Sequence, residues 1–359
     1  MAVWEPPARE YDFLFNEVFD AIDSIQGLDF DDFDADFLAM LIDGWATHSK
    51  EVWLPINELG DREGLSFQDG KITMPQEFKD AYRRGIDEGW LASACKPEHG
   101  GMGVPTFFQA VTWAEFGTSA CMSLSVLPAL SLGVYDILVA HGRQDLVDYF
   151  ASNLAIGEWA GTMCLTEPHA GTDLGIINTR AEPELDGTYR ISGTKIFITY
   201  GEHDLSENIV HLVLAKAPDG PEGTKGISLF LVPKYLPTDW KEGGLEGISN
   251  ELKSDHNGVT CSGTEEKMGL HASPTCVMNF DDSVGWLVGP LHGGMPLMFE
   301  MMNRERVATG MMGLGLAEIA YQNALAWSLD RRQGRDLKGI QDPNESADNI
   351  LVHPDVRRM

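Results

Sequence analysis

The sequence predicts an α+β protein in which a β domain lies between two helical regions. Apolar residues recur at helical spacing from residue 37 to residue 159, and again from residue 294 onward. Between these regions the chain changes to short runs of β-branched and aromatic residues separated by Gly and Asp turns. At 359 residues and 43% hydrophobic content, the chain can build two or three domains with apolar cores.

Residues 1–35 are expected to form a short helical extension. Phe15, Val18, Phe19 and Ile22 follow helical spacing, and residues 29–36 are crowded with aspartate. The expected domains are an N-terminal helical extension (1–35), an N-terminal helical domain (36–159), a middle β domain (160–290) and the beginning of a C-terminal helical domain (291–359). The remainder of that last domain is expected to lie beyond residue 359.

The stretch between Glu115 and Asp136 is uncharged, largely apolar and close to the length of a membrane span. Its serines, Pro128 and the lack of flanking basic residues favour a buried core helix that is broken or bent at the proline. We therefore expect no membrane span. The glycine-rich stretch 97–103 precedes this helix and has no following Gly-Lys-Ser/Thr, so a tight turn over a binding cleft is favoured over a phosphate-binding loop.

Strands are expected in the middle domain over 189–199, 209–215 and 226–233, and segments 278–280 and 286–288 are expected to close the sheet. The Gly-, Ser- and acid-rich segment 240–266 is predicted to be a solvated loop or hairpin excursion.

The last helical region has one apolar face, marked by Val307, Met311, Leu314, Tyr321 and Leu325. Its glycines are predicted to let another helix approach closely; they are Gly310, Gly313 and Gly315.

The charge balance argues against nucleic-acid and anionic-membrane partners. There are 26 Lys plus Arg against 55 Asp plus Glu, a net charge of -29. The acidic surface either keeps the protein soluble or steers a basic partner. Five cysteines without a Cys-x-x-Cys pair favour neither a zinc site nor a disulfide framework, and no secretory signal is visible, so we expect a cytoplasmic protein without a metal.

The segment Met163–Asp173, Met-Cys-Leu-Thr-Glu-Pro-His-Ala-Gly-Thr-Asp, groups hydroxyls and backbone donors at a turn, where they could bind a polar ring edge. With Ile-Ser-Gly-Thr-Lys-Ile-Phe-Ile-Thr at 191–199, it resembles the acyl-CoA dehydrogenase family. The resemblance continues through Lys-Met-Gly-Leu at 267–270, Arg-Glu-Arg at 304–306 and Asp-Arg-Arg-Gln-Gly at 330–334. It extends from about residue 37 onward. The extension at 1–35, the Glu-His-Gly-Gly loop at 98–101, the Met-Cys-Leu-Thr start at 163–166 and the excursion at 240–266 most resemble the branch that contains the 3-methylmercaptopropionyl-CoA dehydrogenases of dimethylsulfoniopropionate breakdown.

The resemblance implies an FAD cofactor. It assigns contacts with the flavin to Met163, Leu165, Thr166, Gly171, Thr172, Phe197, Ile198 and Thr199. Many members have Trp at the Phe197 position; Phe keeps the aromatic face and lacks the indole donor. Arg331 matches an arginine that reaches the FAD pyrophosphate, bound mainly by a neighbouring subunit. The alternative for Arg331 is a solvated charge at a helix end.

Substrate contacts implied by the resemblance fall on Thr172, Asn303 and Arg306. The family uses a glutamate to remove the α-proton of the thioester, and most members carry it in a later part of the C-terminal domain. A minority carry it immediately before the arginine that matches Arg306, where Glu305 stands. Glu305 is therefore the candidate base; the alternative is that it pairs with Arg304 or a neighbouring helix.

The implied activity is oxidation of an acyl-CoA to its trans-2-enoyl-CoA, with 3-methylmercaptopropionyl-CoA as a candidate substrate and an electron-transfer flavoprotein as electron acceptor. A homodimer or homotetramer is implied as well. The alternatives are an acyl-CoA oxidase and a non-catalytic protein that binds flavin or acyl-CoA.

Overall fold

Helices occupy both ends of the chain and a β-barrel occupies its middle. The computed structural model describes residues 3–28, 30, 33–237 and 255–358. The helices are α1 Ala8–Phe13, α2 Ala21–Ser24, α3 Ala35–His48, α4 Leu54–Glu63, α5 Gln76–Asp87, α6 Thr106–His141, α7 Gln144–Ile156, α8 Gly294–Asp330 and α9 Pro354–Arg358, with π-helical turns at Leu14–Val18 and Ser49–Trp53. The strands are β1 Ser66–Gln68, β2 Lys71–Thr73, β3 Trp159–Cys164, β4 Arg180–Pro183, β5 Tyr189–Thr199, β6 Asn208–Lys216, β7 Ile227–Pro233, β8 Tyr235–Leu236, β9 Asp255–His256, β10 Val259–Thr264 and β11 Thr275–Val288.

The N-terminal extension packs against both long helices. Tyr11 lies edge-on to Phe116 of α6 and donates its hydroxyl hydrogen bond to the buried Glu115 carboxylate. The backbone of residues 3–5 exchanges hydrogen bonds with the side chains of Gln322 and Asn323 on α8. The extension therefore connects α6 to the far half of α8.

Helix α6 forms the core of the first helical region. It is long and apolar enough to cross a membrane by length and composition, and 67% of its most apolar window is buried inside the protein. The predicted bend at Pro128 was wrong, because the helix departs from helical geometry at Cys121, seven residues earlier (φ −155°, ψ 89°). The Tyr200 hydroxyl donates to the Ser123 carbonyl (2.6 Å), so a contact with the β domain supports the break.

The middle strands close into a barrel. Strand β11 pairs with β5 and β7, β6 pairs with β4 and β7, and β4 pairs with β5, while β3 and β10 extend the sheet beside β6 and β11. Strands β6 and β7 are buried on both faces: Val213 and Phe230 belong to one apolar cluster, Leu212 and Leu231 to another that includes residues of α7. Burial on both faces explains why the sequence of each strand is an almost continuous run of apolar residues.

One strand prediction was wrong, and part of the predicted loop or hairpin excursion is a strand of the sheet. Segments 278–280 and 286–288 belong to the single strand β11; its register shifts between Phe280 and Ser283, where two exposed aspartates interrupt the apolar pattern. Within the predicted excursion at 240–266, residues 259–264 form β10, in which Val259 and Cys261 are buried and alternate with exposed residues. Residues 240–254 of that prediction lie outside the described residues.

Helix α8 crosses α6 at Gly315. A Cβ on Gly315 would lie 2.7 Å from the Glu115 carbonyl oxygen, and Ser119 Oγ donates to the Gly315 carbonyl (2.9 Å). Among the described residues nothing lies within 4 Å of a Cβ on Gly310 or Gly313, so a close approach is observed at Gly315 and not at the other two. The predicted apolar face of α8 is largely exposed, with Val307 and Tyr321 each more than half accessible.

Gly315→Ala is expected to destabilise the fold by about 1–3 kcal/mol, because the new methyl group must push two helix backbones apart. Gly313→Ala is the matched control and should stabilise the protein by up to about 1 kcal/mol, because alanine has the higher helix propensity and the site is open. Urea unfolding of both variants measures the difference. Equal effects at the two positions would contradict the close crossing.

Candidate active site

The segment that follows β3 folds into a tight turn. Glu167 and Ala170 exchange two backbone hydrogen bonds of 2.9 and 3.0 Å. The turn folds back over Thr166, because a Cβ on Gly171 would lie 3.6 Å from the Thr166 methyl carbon. The Thr166 carbonyl accepts from the Ile196 amide of β5 (2.9 Å). The two motifs of the sequence, 163–173 and 191–199, are therefore joined directly.

A buried ion pair fixes this junction, and its role was missed in the sequence. Lys195, fully buried, donates from Nζ to Glu167 Oε1 (3.0 Å) and to the Leu165 carbonyl (2.9 Å). The Glu167 carboxylate also accepts from the amides of Asn178 and Thr179 and from the Thr179 hydroxyl. Glu167 and Lys195 both lie within the recognised motifs. The alternation of apolar and polar residues along β5 does not by itself indicate that the lysine side chain points inward.

Each charge of this pair is stabilised against burial by the opposite charge of its partner. Burial raises the pKa of Glu167, and the Lys195 ammonium with the hydrogen bonds from residues 178 and 179 outweighs that effect, so its pKa lies below the usual value. Burial lowers the pKa of Lys195, which Glu167 opposes. Removing either partner would leave an uncompensated buried charge.

Three threonine hydroxyls near this junction remain available to a ligand. Within the described residues, the side chains of Thr166, Thr172 and Thr199 make no hydrogen bond, and none of the three is buried. Thr166 precedes the turn, Thr172 follows it, and Thr199 ends β5. Free donors beside a rigid sheet fit the polar edge of a bound ring.

Phe197 is presented by a bulge. The register between β5 and β11 shifts between the pairs Ile198–Cys276 and Lys195–Met278, and Phe197 adopts a left-handed backbone conformation with φ 60°. Phe197 is 56% exposed, whereas Ile198 is 2% exposed. A bulky residue with positive φ costs of order 1–3 kcal/mol and is concentrated at functional sites. The bulge turns an aromatic face outward beside the free hydroxyls.

The remaining residues assigned by the first motif surround the same turn. Met163 and Leu165 are half-buried and pack against the apolar cluster of β6 and α7. Gly171 and Thr172 are exposed. The structure therefore brings together the assigned residues of 163–172 with those of 197–199.

Helix α8 carries a second group of assigned residues. Arg306 donates from Nη1 to Asn303 Oδ1 (2.8 Å) and lies over the Phe299 ring at 5.2 Å. Both polar side chains are exposed and stand on one turn of the helix. They form a paired cation and amide that a ligand on this face could contact.

Glu305 is half-buried against α6. A Cβ on Gly133 would come within 3.4 Å of Glu305 Oε1, and burial raises the pKa of Glu305 while the Arg304 charge partly opposes the rise. Arg304 is bound to Asp136 and to Gln109 Oε1 (3.0 Å). Across the described chain no cation or hydrogen-bond donor contacts the Glu305 carboxylate: Arg304 pairs with Asp136 instead, and the neighbouring helix that Glu305 meets is α6.

A cavity opens beside this carboxylate between α6 and α8. Its lining residues include Trp53, Gln109, Trp113, Ser125, Glu305 and Met312. The sequence carried no signal for Trp53, Gln109 and Trp113, because they join the cavity only through the packing of three separate segments. A desolvated, unpaired carboxylate in an apolar cavity is the arrangement of a general base.

Arg331 lies apart from the assigned residues of α8. It follows the last residue of α8, about 39 Å along the helix axis from Glu305 at 1.5 Å per residue. Its side chain is exposed, donates to Gln333 Oε1 (3.1 Å) and lies 5.9 Å from the Trp327 ring centroid.

Over the residues that the structure describes, no group of His, Cys, Asp and Glu could hold a metal ion.

Comparisons with known proteins agree with this architecture. Residues 162–283 match the family described as acyl-CoA dehydrogenase, middle domain. A 3-methylmercaptopropionyl-CoA dehydrogenase of Ruegeria pomeroyi is 45% identical over 309 residues, which cover 86% of this chain and 50% of that protein. The chain spans about half the length of the curated relatives it matches.

Solved structures share the fold. The butyryl-CoA dehydrogenase of Megasphaera elsdenii superposes with a TM-score of 0.68 at 20% identity, over 90% of this chain and 73% of that one. An acyl-CoA dehydrogenase of Bacillus anthracis complexed with FAD has a TM-score of 0.65 at 22% identity, over 84% of this chain and 46% of that one. The predicted α+β class and family resemblance are confirmed: the chain contains an acyl-CoA dehydrogenase middle domain at residues 162–283 and is related to the acyl-CoA dehydrogenases over most of its length.

Proposed function

We propose that the protein to which this chain belongs is an FAD-dependent acyl-CoA dehydrogenase that converts an acyl-CoA thioester into the trans-2-enoyl-CoA. The observation that carries the proposal is an unpaired, desolvated Glu305 in a cavity between α6 and α8, in a chain whose β domain also presents an exposed ring and free hydroxyls. The 45% identity with the Ruegeria pomeroyi protein makes 3-methylmercaptopropionyl-CoA the first substrate to test.

The residues around the turn fit a flavin. When bound, FAD supplies the acceptor for the β-hydride. Thr166 and Thr199 have free hydroxyls, Phe197 offers an aromatic face, and Leu165 is fixed by Lys195. The other residues proposed to contact the flavin are Met163, Gly171, Thr172 and Ile198. Arg331, exposed just after α8, is proposed to reach the FAD pyrophosphate of a neighbouring subunit.

Substrate recognition is assigned to three residues. Asn303 and Arg306 form a hydrogen-bonded pair on the exposed side of α8 and are suited to the CoA portion or the acyl chain near its thioester. Thr172 is exposed at the turn after β3. Their location on different elements would place the thioester between the β domain and α8.

Glu305 is proposed to remove the α-proton. Because its carboxylate is desolvated and unpaired, its pKa is raised and it is a stronger base than an exposed glutamate. Arg304 is held by Asp136 and Gln109, which keeps it from neutralising the carboxylate. The alternative is a base in a later part of the C-terminal domain, where most members of the family carry it.

The proposal extends to partners. An electron-transfer flavoprotein is the proposed acceptor of electrons; the fold is shared, with a TM-score of 0.65, by a chain from a structure described as the electron transferring flavoprotein of Acidaminococcus fermentans. A homodimer or homotetramer in the cytoplasm is proposed, in which Arg331 of one subunit contacts the FAD pyrophosphate of its neighbour.

Anaerobic titration of the FAD-loaded protein with 3-methylmercaptopropionyl-CoA and butyryl-CoA tests the activity. The oxidised flavin absorbance is expected to bleach as enoyl-CoA forms. A chromophore that no acyl-CoA bleaches would favour a binding protein, and rapid reoxidation in air after bleaching would favour an oxidase.

A further inference from the structure

A partition closes the far end of the cavity beside Glu305. On the basis of the proposed function, we propose that Trp113 and Gln109 form this partition and restrict the substrate to short-chain acyl-CoA thioesters. Trp113 would then be the residue that sets chain-length specificity.

The partition separates two cavities. The first lies beside Glu305 and is lined on its other sides by Trp53, Ser125 and Met312, among others. The second lies behind it and is lined by residues that include Leu38, Ile42, Trp90 and Phe108. Trp113 and Gln109 line both cavities, so these two side chains stand between them.

Both partition residues are held in place by neighbours. Trp113 stacks on Trp45 with ring centroids 3.9 Å apart and an interplanar angle of 5°, and Trp45 meets Trp53 edge-on at 5.0 Å. Gln109 is 8% exposed and accepts a hydrogen bond from Arg304 on α8. Because the Trp113 ring is stacked and the Gln109 amide is hydrogen-bonded, a longer alkyl chain displaces them less easily than it would displace a flexible side chain.

The first cavity is small. Its volume of about 40 Å³ is room for about three water molecules. That volume suits an acyl chain of a few heavy atoms beyond the thioester. A longer chain would have to displace Trp113 from its stack on Trp45.

The second cavity would lengthen the first if the indole were removed. Its walls are mainly apolar, through Leu38, Ile42 and Phe108, so it would receive additional methylene groups. Each methylene transferred from water into such a site increases affinity about fourfold. Truncation of Trp113 should therefore convert a short-chain site into one that favours longer chains.

Binding of S-butyl-CoA and S-octyl-CoA to the FAD-loaded protein tests the partition without turnover, because these thioethers lack the carbonyl that acidifies the α-proton. By calorimetry, the parent protein is expected to bind S-octyl-CoA no more tightly than S-butyl-CoA. In Trp113→Ala the preference for S-octyl-CoA should rise at least about tenfold. Trp113→Phe should retain the parental preference, because a ring still fills the partition.

Trp90→Ala is the matched control: it removes an indole that lines only the second cavity, and the parental preference should persist. An unchanged preference in folded Trp113→Ala would overturn the proposal, as would a parent protein that binds S-octyl-CoA more than tenfold more tightly than S-butyl-CoA. The parental comparison decides the matter if Trp113→Ala does not fold. A parent that binds neither thioether would overturn the partition and the proposed function together, whereas a parent that binds both but prefers S-octyl-CoA more than tenfold would overturn the partition alone.

Discussion

Glu305→Gln is expected to slow reduction of bound FAD by an acyl-CoA about 10²–10⁴-fold, the usual contribution of a positioned general base. The amide fills the same space but cannot accept the α-proton, so binding of a CoA thioether should change little. Stopped-flow reduction under anaerobic conditions measures the rate. Glu300→Gln is the control, because Glu300 lies on the same helix, is exposed and pairs with His141 (2.7 Å).

The pH profile adds a second readout. Since burial raises the pKa of Glu305, the reduction rate of the parent should rise with pH through an inflection above the ordinary value of 4.5, and Glu305→Gln should lack that inflection. Undiminished reduction in Glu305→Gln would eliminate Glu305 as the base.

Stability against pH tests the burial of Glu305 without any ligand. A folded-state pKa above the unfolded value means that the folded protein binds the proton more tightly. The resulting stabilisation is fully present below about pH 4.5 and is lost as pH rises through the folded pKa. Relative to Glu305→Gln, the parent should therefore lose stability over that window, as measured by urea unfolding at several pH values.

Lys195→Met is expected to destabilise the fold by about 3–5 kcal/mol, because it leaves the Glu167 carboxylate buried without its counter-charge. It also removes the donor to the Leu165 carbonyl, so FAD affinity should fall as well. Chemical unfolding and flavin titration measure the two effects. The double variant with Glu167→Gln should lose less than the sum of the single losses, because the orphaned charge is gone.

Lys96→Met is the matched control for this prediction. Lys96 pairs with Glu98 at 3.7 Å, and both side chains are more than half exposed, so the same substitution should cost about 0–1 kcal/mol. A similarly small loss in Lys195→Met would contradict the structural role assigned to the buried pair.

Local patterns were sufficient for much of the fold. Strands β5, β6 and β7 were predicted within one residue of their observed bounds, because runs of β-branched and aromatic residues between turns depend on nearby residues alone. Strand β11 was predicted as two pieces because Asp281 and Asp282 interrupt its alternation. Pro128 suggested the wrong position for the break in α6, since a contact from Tyr200 in another domain supports the break at Cys121.

The candidate site, too, was only partly predictable from local sequence. The motifs at 163–173 and 191–199 were recognisable in the chain, and their assigned residues lie on one junction. The inward direction of Lys195 and the positive φ of Phe197 were not predictable, because both depend on how β5 pairs with β11.

The sequence by itself determined the α+β class, the order of the helical and β regions, and a family resemblance that relatives of up to 45% identity confirm. Periodicity and motifs are properties of neighbouring residues and survive without a folded chain. Only the tertiary structure decided that Arg304 pairs with Asp136 and leaves Glu305 free, and that Trp113 and Gln109 end the cavity. These relations join residues far apart in the chain, and the packing of α6 against α8 creates them.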